Sequence, residues 1–216
     1  MKITQLPELA EYYMNQIRKR VDKVRPGIHL SDMDLCPDKV FYRQTLEDAP
    51  SLPDQSCLFF MSGLCIEDWL VPIKQEPVEK DGILCSVDDI TPYGVSEIKS
   101  TRKGLNNFDP KTSYPWWVFR CKGYCYALGI TEINLVVFFW VGNRSEIPIA
   151  LRAWRLSFEQ AELDEHWKEV LRRKAILDEA LRSGEPPKET WVQPWECNAC
   201  EMTVVCARYK ERIMKE

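Results

Sequence analysis

This chain has no apolar run long enough to cross a bilayer. The longest, Leu135 to Val141, falls well short of the ~20 residues a spanning helix needs. Its first residues, Met1-Lys2-Ile3-Thr4-Gln5-Leu6-Pro7-Glu8, hold no apolar stretch of signal-peptide length. Together these absences give the expectation of a cytoplasmic protein with no membrane partner, in a compartment where thiols stay reduced. Internal repeats and low-complexity segments are also missing. So is any excess of basic charge: 29 Lys and Arg stand against 33 Asp and Glu, for a formal charge of −4. That is no global footprint of a nucleic-acid binder. It leaves room for one, because carboxylates that hold divalent metals lower the net charge while local basic patches still reach phosphates. Histidine is scarce, with His29 and His166 alone. Neither has metal-ligand spacing with the acids. His29 reads as a cap or a DNA contact before a helix start, and His166 as an exposed position on a long charged helix.

What is present is an ordinary globular composition, 45% apolar and 29% charged over 216 residues. Such a chain buries a core without disulfides and suits one domain, 1–216. Helical periodicity marks Gln5 to Lys23, with Leu9, Tyr12, Tyr13 and Ile17 on one side. A short helix follows Ser31-Asp32-Met33-Asp34 and runs through Tyr42. Ser56 to Val71 is helical, with Phe59, Phe60, Gly63, Ile66, Trp69 and Leu70 giving a broad apolar face. Strands are expected at Ile83 to Ile90 and Val95 to Lys99 around a turn at Thr91-Pro92-Tyr93-Gly94. A loop spans Lys103 to Pro115, and a helix Trp116 to Leu128 closes at Gly129. Ile133 to Val141 and Ile147 to Leu156 form a strand pair turned by Gly142-Asn143-Arg144-Ser145. Ser157 with Gln160 resembles a capping box opening a long helix that ends at Gly184. The sum is an α/β core over about 56–156 with a mixed sheet flanked by helices. Additions at about 29–45 and 190–210 carry cysteines.

The acidic centre is Asp88 followed by Glu97-Ile98-Lys99. Alternate strand residues share a face, so Glu97 and Lys99 point the same way and Asp88 meets Glu97 across the hairpin. Two hard carboxylates suit Mg²⁺ or Mn²⁺. An ion there makes hydroxide accessible and offsets phosphate charge. Lys99 orients the water or stabilises developing negative charge. An acid-x-Lys tripeptide alone is common and reads as a charged surface hairpin. The context changes that: Asp88 before it, Glu67 on the preceding helix, Arg120 and Tyr124 on the following one.

Nine cysteines in a reducing compartment need a reason other than disulfides. Cys36 stands in Leu35-Cys36-Pro37, while Cys197, Cys200 and Cys206 crowd the far end. Four thiolates suit Zn²⁺ or an iron–sulfur cluster, and spacing does not separate the two. The solitary fourth ligand favours the cluster. Cys57, Cys65, Cys85, Cys121 and Cys125 lie in apolar runs and read as buried packing.

The combination resembles the PD-(D/E)XK nuclease superfamily, within it the RecB-like exonucleases of the CRISPR-associated, four-cysteine type. The similarity runs from about His29 to Cys206. It implies a restriction-endonuclease-like core whose terminal additions are joined by a [4Fe–4S] cluster on Cys36, Cys197, Cys200 and Cys206. It implies Glu67, Asp88 and Glu97 as ligands of Mg²⁺ or Mn²⁺, with the Ile98 carbonyl beside them and Asp89 as the alternative to Asp88. Lys99 is then the catalytic amine, with Arg120 and Tyr124 positioning the strand. Two positions depart from the family pattern. Glu67 of Gly63-Leu64-Cys65-Ile66-Glu67 stands where a histidine is usual. Arg120 of Arg120-Cys121-Lys122-Gly123-Tyr124 stands where a glutamine is usual.

The activity this resemblance implies is metal-dependent DNA exonuclease action on single strands or frayed ends, 5′-to-3′, alongside CRISPR integrase proteins or in phage and mobile-element DNA processing. The run Lys99-Ser100-Thr101-Arg102-Lys103, with Lys111, Lys122, Tyr114, Trp116 and Trp117 nearby, supplies cations and rings for such a strand. Trp117 reads as core, Trp116 as core or stacking surface, and Arg172-Arg173-Lys174 as a solvated helix face. The alternatives are a DNA-binding or scaffolding module that keeps the cluster without hydrolysis, and a zinc-stapled structural protein.

Overall fold

Burial alternates residue by residue along the apolar run Glu132–Phe139, which makes it the natural centre of a sheet. Ile133, Leu135, Val137 and Phe139 are buried while Asn134, Val136 and Phe138 are half-buried on the other face. The computed structural model describes residues 6–21, 25–71, 73–105, 108–140, 149–192 and 196–213. Within it the strands are β1 (Val78–Lys80), β2 (Ile83–Cys85), β3 (Asp89–Thr91), β4 (Gly94–Thr101), β5 (Glu132–Phe139) and β6 (Ala150–Ser157). The helices are α1 (Pro7–Val21), α2 (Pro37–Thr45), α3 (Asp54–Leu70), the single turn α4 (Pro110–Ser113), α5 (Pro115–Leu128), α6 (Gln160–Ser183) and α7 (Ala207–Ile213). The main sheet runs β3-β4-β5-β6, with β4 and β5 parallel and both outer pairs antiparallel. The expected α/β fold with a mixed, helix-flanked sheet is therefore observed.

The stretch expected as one strand from Ile83 to Ile90 is two. β2 pairs back with β1 in a separate hairpin whose turn puts Asp81 and Gly82 at positive φ. β3 then begins the main sheet. The turn expected at Gly142 to Ser145 lies outside the described residues. The capping box expected at Ser157 does not form. Ser157 ends β6, donates its hydroxyl to Glu132 at 3.0 Å, and leaves Glu159 as the residue before α6.

α5 packs on β5 of the main sheet, and α6 packs on α5. Trp167 is buried, stacks on Tyr126 at 4.8 Å and donates its ring N–H to Asp81 at 2.9 Å. Gly129 and Gly184, at φ 67° and 74°, end these two helices in the left-handed conformation that glycine adopts without strain. His166 is a correction. It is half-buried against Phe119, ring centroids 4.3 Å apart, because α5 passes over this face of α6. Burial pushes its pKa down to about 4. The Arg172-Arg173-Lys174 run is corrected in part. The Arg173 guanidinium lies between the rings of Phe119 and Trp191 and donates to the Met33 carbonyl at 2.8 Å.

α1 and α3 form a thinner layer. Ion pairs of Arg18 with Asp54 and of Arg20 with Asp68 join them. Among the described residues α1 buries none, and α3 buries Cys57. The expected apolar faces of both helices therefore remain largely outside: Leu9, Tyr12, Tyr13, Leu58, Phe59, Phe60, Trp69 and Leu70 are exposed, and Cys65 with them. Trp117 is core, as its position suggested.

Candidate metal and nucleic-acid site

The local sequence builds a tight turn between β3 and β4, with Asp89 opposite Ser96 and Thr91 opposite Gly94. That register carries Asp88, just before β3, back to the level of Glu97 and Ile98. Its Oδ2 accepts the Ile98 N–H at 2.6 Å and lies 3.6 Å from Lys99 Nζ. Asp89 turns its carboxylate onto its own strand, accepting from the Ile90 N–H at 2.8 Å. Lys99 folds back so that its ammonium pairs with Glu97 Oε1 and donates to the Ile98 carbonyl at 3.0 Å. Asp88, Glu97, the Ile98 carbonyl and Lys99 are thus brought together.

α5 closes this centre from above. Gly123 lets it come close to the chain before α2: a Cβ there would lie 2.6 Å from Leu30 Cδ2. The turn Leu30–Met33 is anchored by Asp32, which accepts the His29 N–H at 2.8 Å. This is the capping role anticipated for His29. Its ring lies 3.1 Å from the Pro26 carbonyl. Asp34 follows, and receives Arg120 in a forked pair at 3.0 and 3.1 Å. Arg120 also stands 3.8 Å from Glu97. Asp34 is 3% exposed. Burial raises its pKa to about 6 despite Arg120. Sequence reasoning gave this aspartate no role at the site; its partner 86 residues away has no local signature.

Glu97 is 1% exposed. Lys99 pairs with Oε1 and Arg120 stands near it, while Oε2 has no hydrogen-bond partner among the described residues. Burial, opposed by Lys99 and reinforced by Asp88, pushes its pKa up to about 8. For Lys99, burial acts downward, but Glu97 and Asp88 outweigh it and keep the ammonium above its ordinary value. Tyr124 is buried beside the same charges, and burial raises its phenol well above the usual range. A buried carboxylate with one oxygen unpartnered among the described residues, an aspartate and a peptide carbonyl form the oxygen set that Mg²⁺ or Mn²⁺ takes. The residues fit such an ion.

Glu67 stands apart from this group. Gly63, one turn before it on α3, faces Ser100: a Cβ there would lie 3.5 Å from Ser100 Oγ. Strand alternation puts Ser100 on the face of β4 opposite Glu97 and Lys99. The Glu67 carboxylate pairs with Lys74. Among the described residues no three His, Cys, Asp or Glu side chains converge as a metal-ligating group.

The four cysteines come to one end of the molecule. The Cys36 N–H donates to buried Glu196 at 3.0 Å, next to Cys197. Buried Glu201, next to Cys200, pairs with Lys39 and Arg43 of α2 at 3.0 and 3.1 Å. Arg208 pairs with buried Asp38 at 3.0 Å. Cys206 lies at the start of α7 and raises the pKa of Tyr42 on α2, behind the larger effect of burial. All four thiols are half-buried, and burial raises Cys36 to about 11. The donor chemistry fits a soft-metal or iron–sulfur group, while the sulfurs do not stand together as a preformed ligand set. Glu196, Glu201 and Asp38, which clamp the two cysteine segments, were not foreseen. Buried acids in a charged stretch look like surface residues until their partners are known.

No family model and no curated protein matches this chain. Among solved structures, the crystal structure of SSO0001 matches with a TM-score of 0.55 at 16% identity, covering 92% of this chain and 96% of that one. An alkaline exonuclease from Laribacter hongkongensis overlaps at a TM-score of 0.42 and 13% identity, covering 84% and 85%. The first likeness establishes a shared fold over nearly the full length of both chains.

Proposed function

We propose that this protein is a metal-dependent nuclease that hydrolyses phosphodiester bonds in DNA. The observation that carries this reading is Glu97: a carboxylate sealed under α5, with Oε2 lacking a partner among the described residues, against a buried lysine and a second acid. Leaving such a group unsatisfied costs about 1–3 kcal/mol or more, which a purely structural site has no reason to retain. Bound by Asp88, Glu97 and the Ile98 carbonyl, Mg²⁺ or Mn²⁺ would supply Lewis acidity toward a phosphate. Lys99 holds a positive charge within the same group and offsets negative charge that develops on the phosphate. Arg120, fixed by Asp34, keeps a second cation beside it. Tyr124 stays a neutral phenol.

The finer reading is an exonuclease acting 5′-to-3′ on single strands, in CRISPR spacer acquisition with integrase proteins or in phage and mobile-element DNA processing. In it a [4Fe–4S] cluster on Cys36, Cys197, Cys200 and Cys206 fixes residues 196–213 to α2. The chemistry of the thiols and their approach to α2 support this part. A second reading has a specific observation in its favour. Glu67 is tied to Lys74 and Arg120 to Asp34, the arrangement expected of a DNA-binding module with weakened hydrolysis.

End-labelled single- and double-stranded DNA, incubated with anaerobically prepared protein and Mn²⁺ or Mg²⁺, separates the two. Shortening of labelled DNA that is lost in Lys99→Ala supports the nuclease. Intact DNA with wild-type protein, bound but uncut, establishes the second reading instead. Visible iron–sulfur absorbance that disappears in Cys200→Ala tests the cluster against zinc.

A further inference from the structure

β4 and β5 are the parallel pair of the main sheet, and the chain leaves their carboxyl ends side by side. The Trp140 N–H donates to the Thr101 carbonyl at 3.1 Å, which ties the two exits together. Ligands of open α/β sheets bind beyond such carboxyl ends. What stands there is a group of rings around a guanidinium. Arg102 lies 5.4 Å from the Phe59 ring centroid and 6.0 Å from that of Trp140. Phe59 and Trp140 are 6.3 Å apart, and Phe60 meets Phe59 edge-on at 6.3 Å. Phe59 and Phe60 are exposed, although they belong to a helix that could have turned them inward. Arg102 is exposed and has no carboxylate partner among the described residues. The Trp140 ring N–H is buried and has no acceptor among them.

We infer that Phe59, Arg102 and Trp140 form a base-stacking platform for single-stranded DNA, an inference that rests on the nuclease reading. Every base offers a π-face to an aromatic ring or a guanidinium plane, whereas a duplex keeps those faces to itself. Arg102 adds charge for the phosphates and the flat surface on which a base lies. The platform begins three residues beyond Lys99, so a strand stacked there has its backbone next to the acidic centre. Arg102 has no carboxylate to neutralise it among the described residues, which favours a polyanionic strand over an apolar protein surface.

The test uses full-length protein in EDTA, with fluorescent single-stranded DNA and the same oligonucleotide carrying a run of abasic sites. The platform predicts about tenfold tighter binding of the normal strand, since one stacked base carries that much. Phe59→Ala removes the preference, and Arg102→Lys reduces it while keeping the charge. Tryptophan fluorescence is quenched by the normal strand and not by the abasic one, and Trp140→Leu loses that response. Phe59 is exposed, so its variant folds, which thermal unfolding verifies. Equal binding of normal and abasic strands, or a preference that survives Phe59→Ala, overturns the platform. Cleavage is scored separately with Mn²⁺. Cleaved DNA with equal binding refutes the platform and leaves the nuclease standing. A Phe59-dependent preference without cleavage refutes the nuclease and keeps the platform.

Discussion

Two regions of this molecule bury acids, and they treat them differently. At the cysteine-bearing end, Glu201 is 6% exposed and faces Lys39 and Arg43, Asp38 receives Arg208, and Glu196 accepts a backbone N–H. Each of these carboxylates clamps one segment to another. At the β4 centre, Glu97 is buried more deeply: Oε1 pairs with Lys99, and Oε2 has no partner among the described residues. An acid paired through both oxygens locks a structure. One with an oxygen left over reserves it and keeps its proton to a higher pH. On the nuclease reading, the difference separates residues that hold the fold from a residue that holds the metal, and substitution with the neutral isostere makes the separation measurable. Glu97→Gln is expected to lower Mn²⁺-dependent DNA cleavage by more than about 10²-fold, the scale of losing one charge-stabilising group in an active site. The variant's urea midpoint should match or exceed that of the wild type, because glutamine resembles the protonated acid already favoured there. Glu201→Gln should behave oppositely. It leaves two cations short of a partner and costs about 3 kcal/mol in stability, with cleavage per folded molecule retained. Equal effects of the two substitutions would erase the distinction.

The arginine at position 120 belongs to the centre only because α5 lies close to the turn before α2. Gly123 permits that approach, since a Cβ would collide with Leu30. Gly123→Ala is expected to destabilise by about 1–3 kcal/mol, as overpacking does. It should also weaken cleavage by displacing Arg120 from Asp34. Gly129→Ala, at a position with open space but φ 67°, strains only the helix end and should leave cleavage alone. Comparing the two by urea unfolding and end-labelled DNA isolates the packing contribution.

Much of this was legible in the sequence, for identifiable reasons. β5 and α6 declare themselves because one face of each is buried, so periodicity reports the packing directly. Asp88, Glu97, the Ile98 carbonyl and Lys99 could be placed together because a short turn joins them and strand register does the rest. Asp34 with Arg120, and Glu201 with Lys39 and Arg43, could not, because each pair spans a long sequence separation and its residues look individually like surface charge. The α1 and α3 faces misled for the opposite reason. Their periodicity is real, but burial does not follow from periodicity, and much of the apolar surface of both helices stays outside.

pH sharpens the same contrast. Glu97 has its pKa raised in the folded protein to about 8 from an ordinary carboxylate value. Its contribution to stability is therefore fully present below the ordinary glutamate range and is lost as pH rises through about 8. Relative to Glu97→Gln, the wild type should lose stability between those limits, measured as the difference in urea midpoints. Metal must displace that proton, so cleavage at limiting Mn²⁺ should climb toward pH 8 over the same window. A stability difference that is flat with pH would mean that Glu97 is ionised throughout and held by Lys99 alone.

The smallest effect is expected where the molecule is thinnest. Trp69 is 91% exposed at the end of α3, so removing its ring takes nothing out of the core. Trp69→Ser should change stability by less than about 0.5 kcal/mol, as surface substitutions do. Trp167→Ala, within the α5–α6 layer, should cost about 3–5 kcal/mol. Both are read from urea unfolding followed by far-ultraviolet circular dichroism, which does not depend on the fluorescence of the altered residue. The comparison tests more than two side chains. If Trp69→Ser proves costly, the outer face of α3 is covered in solution, and the exposed rings of Phe59 and Phe60 on the same helix would be covered with it. If it is neutral, that face is open, and a strand of DNA approaching the carboxyl ends of β4 and β5 meets aromatic surface that the fold itself does not use.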